Sequence, residues 1–189
     1  MKNVTVPNYT VKKGKAFTKQ EEAALVDFCR KNPDKAASSA LLVLLYFGLR
    51  QSELKTIRFL KEGWMTCDTS KEKLGNDILP RDIPFTPMVK QNLSYIDFDK
   101  AKSTNPRTIA TTLARLFPNH HPHELRYTYI TRCKECGVNP EVVMLWDGHC
   151  QEEGVKASRV DLGYTDYSEE YLQKEAEKVF YELPKIGDF

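Results

Sequence analysis

The stretch 38-SSALLVLLYFGLR-50 is the most apolar part of this 189-residue chain, and it decides the fold. It is shorter than the roughly 20 apolar residues that a helix needs to cross a bilayer. Because its apolar residues occupy almost every helical face, the pattern predicts a buried central helix. Gly48 is expected to end that helix in a left-handed or tight conformation. The length of 189 residues predicts a single domain of ordinary size.

Further helical patterns flank this stretch. Thr18 and Glu21 have the spacing of a capping box ahead of a first helix, and a helix after Gly48 is expected to begin near Gln51 and Ser52. The remaining helical segments are predicted at 86–96, 105–117, 123–136, 139–147 and 168–183, with breaks at Gly137 and Pro184. The chain is therefore mostly helical.

Strand character is confined to one region. GWMTCDTS at 63–70 and NDILPRDIPFT at 76–86 are rich in β-branched and aromatic residues, and the polar SKEKLGN lies between them. Pro80 and Pro84 place at least one strand at a sheet edge. We predict a small hairpin or three-stranded sheet with a lysine-rich turn. The expected fold class is mainly α with a small antiparallel β-sheet (α+β).

Composition indicates the cellular compartment of the protein and the state of its cysteines. No apolar run could span a membrane, and the basic N-terminus lacks the apolar core of a signal peptide, so a cytoplasmic protein without a membrane partner is expected. The five cysteines are an odd number, which favours free thiols. A zinc site formed by Cys133, Cys136, His149 and Cys150 is a weak alternative, since no second cysteine pair has ligand spacing.

Charge is distributed unevenly along the chain. Residues 151–189 carry ten acidic and five basic side chains, while the whole chain has a net charge of +2, so the first 150 residues carry +7. A positive charge on the first 150 residues favours a protein that binds a polyanion, although a solvated charged surface would have the same net charge.

Four motifs occur in order: GLRQSEL at 48–54, HELR at 123–126, WDGH at 146–149 and LGYTDYSEEY at 162–171. In order and character they resemble the catalytic domain of the tyrosine recombinases, or phage integrases. The resemblance implies the integrase catalytic core, a DNA breaking-rejoining fold. It also implies a site-specific recombinase that cuts and rejoins double-stranded DNA through a 3′-phosphotyrosine intermediate, with no metal, cofactor or small-molecule substrate.

The resemblance assigns a role to each motif. Arg50 and Arg126 would clamp the non-bridging phosphate oxygens, because a planar guanidinium stays protonated and binds two oxygens at once. His123, one helical turn from Arg126, would donate to the phosphate or help to remove the tyrosine proton. His149 would complete the donor set.

Two assignments leave alternatives open. A lysine of the hairpin would protonate the leaving 5′ oxygen, and we favour Lys71 over Lys73. Tyr164 is the favoured nucleophile because a threonine and an aspartate follow it, as in the family. Tyr167 and Tyr171 remain alternatives for the nucleophile.

Each motif also has an ordinary interpretation when taken alone. Arg50 could be a helix-terminal arginine paired with Glu53, His123 a surface histidine at a helix start, and His149 a C-capping histidine. Two rival functions are a type IB topoisomerase and a DNA-binding regulator that keeps the fold without cutting. The ordered occurrence of all four motifs favours the recombinase.

The domain organisation follows from the same resemblance. Residues 1–15 are expected to be an arm or linker remnant, and residues 16–189 the catalytic domain of a phage or mobile-element recombinase. The N-terminal core-binding domain of the family is expected to be absent from this chain. The C-terminal helix could pack on its own domain or on a neighbouring copy. Because C-terminal segments pack on neighbouring copies in the recombinases that this chain resembles, the resemblance implies self-association on DNA through this segment.

Overall fold

The computed structural model describes residues 14–74, 77–148 and 166–186, and at the tip of the hairpin it gives only the backbone of 70–74 and 77–79. No helix in these ranges is long and apolar enough to cross a bilayer. The helices and strands run in this order: α1 Lys19–Lys31, α2 Ala36–Phe47, a 3-10 helix Gln51–Thr56, β1 Trp64–Leu74, β2 Asp77–Pro84, α3 Pro87–Asn92, a 3-10 turn Leu93–Tyr95, α4 Phe98–Ser103, α5 Pro106–Leu116, α6 His123–Glu135, α7 Pro140–Asp147 and α8 Glu169–Glu177.

Helix α2 lies at the centre of the core, as its composition predicts. Its residues from Ala37 to Phe47 are all buried, and it packs against α1, α4, α5, α6 and the first 3-10 helix. A helix without a polar face is stable in water only when other elements enclose it. The surrounding helices are therefore organised by this one segment.

Gly48 ends α2 in the left-handed conformation, with φ 62°. The glycine also allows close approach of α6, because a Cβ built at Gly48 would lie 2.3 Å from Cδ1 of the buried Tyr129. The carbonyl oxygen of Gly48 accepts a hydrogen bond from Arg126 of α6 at 2.8 Å. The end of α2 and the middle of α6 are thus fixed against each other by a residue without a side chain.

We expect Gly48→Ala to lower the free energy of unfolding by about 3 kcal/mol, which for a domain of this size is roughly 6–12 °C in Tm. About 1–2 kcal/mol comes from the positive φ, and the rest comes from overpacking against Tyr129. Gly63→Ala is the matched control, since Gly63 has φ 72° with nothing within 4 Å of its would-be Cβ. Thermal unfolding of both variants measures the difference, and equal losses would show that the contact with Tyr129 costs nothing.

The hairpin differs from the prediction in its length. Strand β1 continues through the polar segment to Leu74, where a lysine-rich turn was expected, and pairs antiparallel with β2 from Trp64↔Pro84 to Leu74↔Asp77, with an irregularity between Asp68 and Lys73. Both strands of a two-stranded hairpin are edge strands, which tolerate charged side chains and proline. Polar composition therefore did not prevent pairing. Among the described residues the only addition to the two strands is an isolated bridge between Arg58 and Thr66.

Two helical segments also differ from the prediction. Helix α4 was missed, because six residues are too few to show a period, although Asp97 caps it by accepting from the backbone N–H of Lys100 at 2.9 Å. Helix α8 ends at Glu177 rather than near Pro184. After it the chain runs back over its own domain, where the Tyr181 hydroxyl bonds to the buried carboxylate of Glu22 on α1.

Candidate active site

Arg50 lies two residues after Gly48 and caps the N-terminal end of the 3-10 helix. Its backbone N–H donates to Oε2 of Glu53 at 2.8 Å, and its Nη1 donates to Oε1 of the same carboxylate at 2.9 Å. The ion pair expected from the ordinary interpretation is therefore present. It also fixes the guanidinium, whose side chain is only 12% exposed, so the pairing is compatible with a functional role.

Glu53 has a second arginine partner that the sequence did not identify. Nη2 of Arg81 donates to Oε2 of Glu53 at 2.7 Å, and its Nη1 donates to Oε1 at 3.2 Å. Burial opposes ionisation of Glu53, but the hydrogen bonds and charge of Arg81, together with the contacts from Arg50, outweigh it and lower the pKa to about 2. Glu53 is a buried anion shared by two cations.

Arg81 was missed although a signal for it exists in the sequence. On a strand, residues two positions apart share a face, and Ile83 of β2 is fully buried. Arg81 has the same parity and is only 8% exposed. An arginine on the buried face of a strand requires a partner, so the alternation of PRDIP could have drawn attention to it.

Arg126 lies on α6 and is fully buried. Its Nη1 donates to the Gly48 carbonyl at 2.8 Å, and its Nη2 lies 3.6 Å from Oδ1 of Asp147. Burial lowers the pKa of this guanidinium to about 10; Asp147 opposes that shift, and the positive charges of Arg50 and Arg81 add to it. The group stays charged at neutral pH. The structure thus brings Arg50 and Arg126 together at the end of α2.

His123 is the first residue of α6 and is exposed. Its ring packs edge-on against Tyr127, with 5.1 Å between ring centroids. The Cβ atoms of residues three apart on a helix are about 5–6 Å from each other. His123 therefore lies one turn from Arg126, at the end of the helix that faces solvent.

The other predicted residues lie at or beyond the limits of the described structure. Lys71 and Lys73 are within β1, but only their backbone is described. His149 and Tyr164 lie outside the described residues, as does Cys150 of the alternative zinc site. Within the described parts, no group of three histidine, cysteine or acidic side chains has the arrangement of metal ligands.

Gly148, which directly precedes His149, is the last described residue of the WDGH motif. It ends α7 with φ 63°, and a Cβ built on it would lie 2.9 Å from both Nη1 of Arg81 and Cγ2 of Thr69. The carbonyl of Trp146, two residues before Gly148, accepts a hydrogen bond from Nε of Arg81 at 2.9 Å. The WDGH motif therefore reaches the Arg50–Glu53–Arg81 cluster through the end of α7.

The two alternative tyrosines lie at the opposite end of α7. The Tyr167 hydroxyl bonds to Glu141, and this hydrogen bond raises the pKa of the phenol. The Tyr171 hydroxyl accepts from Nδ2 of Asn139 at 3.1 Å, and the two rings are stacked with centroids 5.1 Å apart. Glu141 and Asp147 are six positions apart along α7, which corresponds to a rise of about 9 Å. Neither hydroxyl is thus placed next to Arg126.

A polar, basic surface adjoins the cluster. The exposed face of α5 borders a shallow groove of about 350 Å³. Nε2 of Gln51 donates to the carbonyl of Pro106 at 3.3 Å, so this helix starts beside Arg50. The groove is lined by Asn105, Arg107, Thr108, Thr111, Thr112 and Arg115. Guanidinium and hydroxyl donors are the groups that contact phosphate oxygens in nucleic acids.

No protein-family model matches this chain, and no curated protein matches it in sequence. Among solved structures it is similar to the Tn1549 transposon integrase in complex with circular intermediate DNA, at 17% identity and a TM-score of 0.55, over 90% of this chain and 67% of that one. A tyrosine-to-phenylalanine variant of that integrase with transposon right-end DNA gives 18% identity and a TM-score of 0.54, over 84% and 68% of the two chains. An arginine-to-lysine variant with another circular intermediate gives 16% and 0.56, over 89% and 67%.

At this identity the likeness establishes the fold. The chain has the fold of the integrase catalytic core, mainly helical with a small antiparallel sheet, and the fold class predicted from the sequence is confirmed.

Proposed function

We propose that this chain is the catalytic domain of a tyrosine-type site-specific DNA recombinase of a mobile element, which cuts and rejoins double-stranded DNA through a 3′-phosphotyrosine link without a metal ion. The observation that carries the proposal is that Arg126 donates to the carbonyl of Gly48, two residues before Arg50, so that both arginines lie at the end of α2. Two guanidiniums held in one place suit a single phosphodiester, whose charge increases in the transition state. The integrase fold around them supports the same conclusion.

The proposed chemistry balances without an added reactant. The Tyr164 hydroxyl loses its proton and attacks phosphorus, the bond from phosphorus to the 5′ oxygen breaks, and Lys71 donates a proton to that leaving oxygen. Arg50 and Arg126 stabilise the non-bridging oxygens, and His123 and His149 donate to the phosphate or accept the phenolic proton. Rejoining is the reverse attack by a 5′ hydroxyl on the phosphotyrosine.

Helix length supports Tyr164 over its neighbours. Tyr167 and Tyr171 are held by Glu141 and Asn139 at the start of α7, about 9 Å from the end at which Arg126 lies. Three residues of extended chain span about 10 Å. Tyr164 lies three residues before Tyr167, so a chain anchored at Tyr167 can reach the arginines with Tyr164.

The proposed self-association through the C-terminal segment depends on a rearrangement of contacts. Residues 166–186 contact their own domain, for example through Lys61 with Glu169 and Lys90 with Glu177. Self-association on DNA through this segment is part of the proposal, and it requires these contacts to be exchanged between copies.

The test is a suicide duplex, in which a nick next to the cut site releases the 5′ end and prevents rejoining. The expected result is a protein–DNA complex that survives denaturation, with the DNA-linked peptide containing Tyr164. Binding without a covalent complex would indicate a DNA-binding regulator instead. Relaxation of supercoiled plasmid by single molecules would indicate a topoisomerase.

We further expect the exposed arginines of α5 to contact DNA phosphates. Arg107→Gln combined with Arg115→Gln should weaken duplex binding about tenfold or more at 0.1 M salt, because each lost phosphate contact lowers the slope of log K against log salt by about 0.9. Lys31→Gln on α1 is the control, since that side chain is 69% exposed and pairs with Asp27 of the same helix. Fluorescence anisotropy over a salt series measures both, and an unchanged slope in the double variant would contradict the assignment.

A further inference from the structure

Arg81 connects the three elements that carry the proposed catalytic groups. From β2 its guanidinium reaches the carboxylate of Glu53 on the 3-10 helix with two nitrogens, at 2.7 and 3.2 Å. Its Nη1 also donates to Oγ1 of Thr69 on β1 at 3.1 Å, and its Nε donates to the carbonyl of Trp146 at the end of α7 at 2.9 Å. One planar group therefore bridges the segments next to Arg50, Lys71 and His149.

The charges around Arg81 give it a role beyond holding elements together. The carboxylate of Glu53 accepts hydrogen bonds from both the backbone N–H and the side chain of Arg50. Without Arg81, Arg50 would be the one arginine among the described residues that pairs with Glu53, and a phosphate would have to compete with a buried carboxylate for that guanidinium. With Arg81 as a second partner, the group of Arg50, Glu53 and Arg81 keeps one net positive charge.

The same charge balance applies when Arg126, the second proposed phosphate-binding arginine, is included. Arg126 faces Asp147 across 3.6 Å. The three guanidiniums Arg50, Arg81 and Arg126 exceed the two carboxylates Glu53 and Asp147 by one charge. Among the described side chains, this cluster would be neutral without Arg81, and its attraction for a phosphodiester would be correspondingly weaker.

We infer that Arg81 is a positioning residue that occupies the Glu53 carboxylate and so leaves the positive charge of Arg50 available to a DNA phosphate. The inference rests on the proposed function, since it concerns the same phosphate site. Arg81 itself is buried on β2, where its guanidinium bonds to Glu53, Thr69 and Trp146. It acts through Arg50.

Substitutions at Arg81 and Glu53 separate this electrostatic role from a purely structural one. Arg81→Met keeps much of the side-chain length but removes the charge, so it should slow covalent trapping about 10- to 100-fold, the size of effect seen when a group that orients a metal ligand is lost. It should also abolish the line broadening of inorganic phosphate in ³¹P NMR. Arg81→Lys keeps the charge and should keep phosphate binding.

Glu53→Gln provides the decisive combination. Glutamine is nearly isosteric with glutamate and carries no charge to be offset, so the double variant Arg81→Met/Glu53→Gln should regain phosphate binding and trap DNA faster than Arg81→Met alone. If Arg81 only braced the framework, the second substitution would leave the loss unchanged or increase it. Such a result would overturn the inference, as would an Arg81→Met variant that folds, binds phosphate and traps within about threefold of the unsubstituted chain.

Thermal unfolding of every variant accompanies these measurements. If Arg81→Met fails to fold because the buried Glu53 loses one of its cationic partners, the double variant and Arg81→Lys carry the test, and a folded double variant without phosphate binding overturns the inference. The two proposals fail separately. An unsubstituted chain that binds phosphate but forms no covalent complex contradicts the recombinase, while the response of phosphate binding to Arg81 still decides the inference.

Discussion

We expect Tyr164→Phe to lower covalent trapping on the suicide duplex by about 10⁴-fold or more, while duplex affinity stays within about twofold. The phenolic oxygen is the attacking atom in the proposed reaction, and phenylalanine removes that atom with little other change. Loss of a nucleophile is among the most severe catalytic defects known. Denaturing electrophoresis measures the trapped fraction, and anisotropy measures the affinity.

Tyr167→Phe and Tyr171→Phe are the matched controls. Each removes one phenolic hydroxyl, but those hydroxyls bond to Glu141 and Asn139 at the start of α7. Both variants should trap DNA within about threefold of the unsubstituted chain. If Tyr164→Phe still traps and Tyr167→Phe does not, Tyr167 is the nucleophile, and α7 and the segment after it must rearrange on DNA.

The parts of the fold that the sequence predicted are those in which local chemistry and packing agree. Helix α2 has no polar face, so its burial needed no knowledge of its partners. Gly48 and Gly137 both adopt the positive φ that breaks a helix. The Thr18–Glu21 capping box forms with both of its hydrogen bonds. Such features depend on residues within one turn of each other.

The parts that sequence reasoning missed depend on distant partners. Helix α8 was expected to continue to Pro184, but Tyr181 reaches Glu22 on α1 and the chain leaves the helix first. Arg81 received no role because its partners Glu53 and Trp146 lie 28 and 65 residues away. The motifs identified Arg50 and Arg126 as a pair, and their convergence is seen. Their roles in catalysis stay predictions.

Arg50→Lys should lower the rate of covalent trapping about 10²- to 10³-fold, with little change in duplex affinity. Lysine keeps the positive charge but replaces a planar fork with a single point donor. Loss of one fixed donor at a developing oxyanion costs about 3–4 kcal/mol of transition-state stabilisation. Arg30→Lys on α1, which contacts Asn92 rather than the cluster, controls for replacing an arginine as such. Single-turnover trapping rates decide the matter, because binding energy alone does not enter them at saturating DNA. A rate for Arg50→Lys within about threefold of the control would remove Arg50 from the reacting centre and leave it as the helix-terminal partner of Glu53.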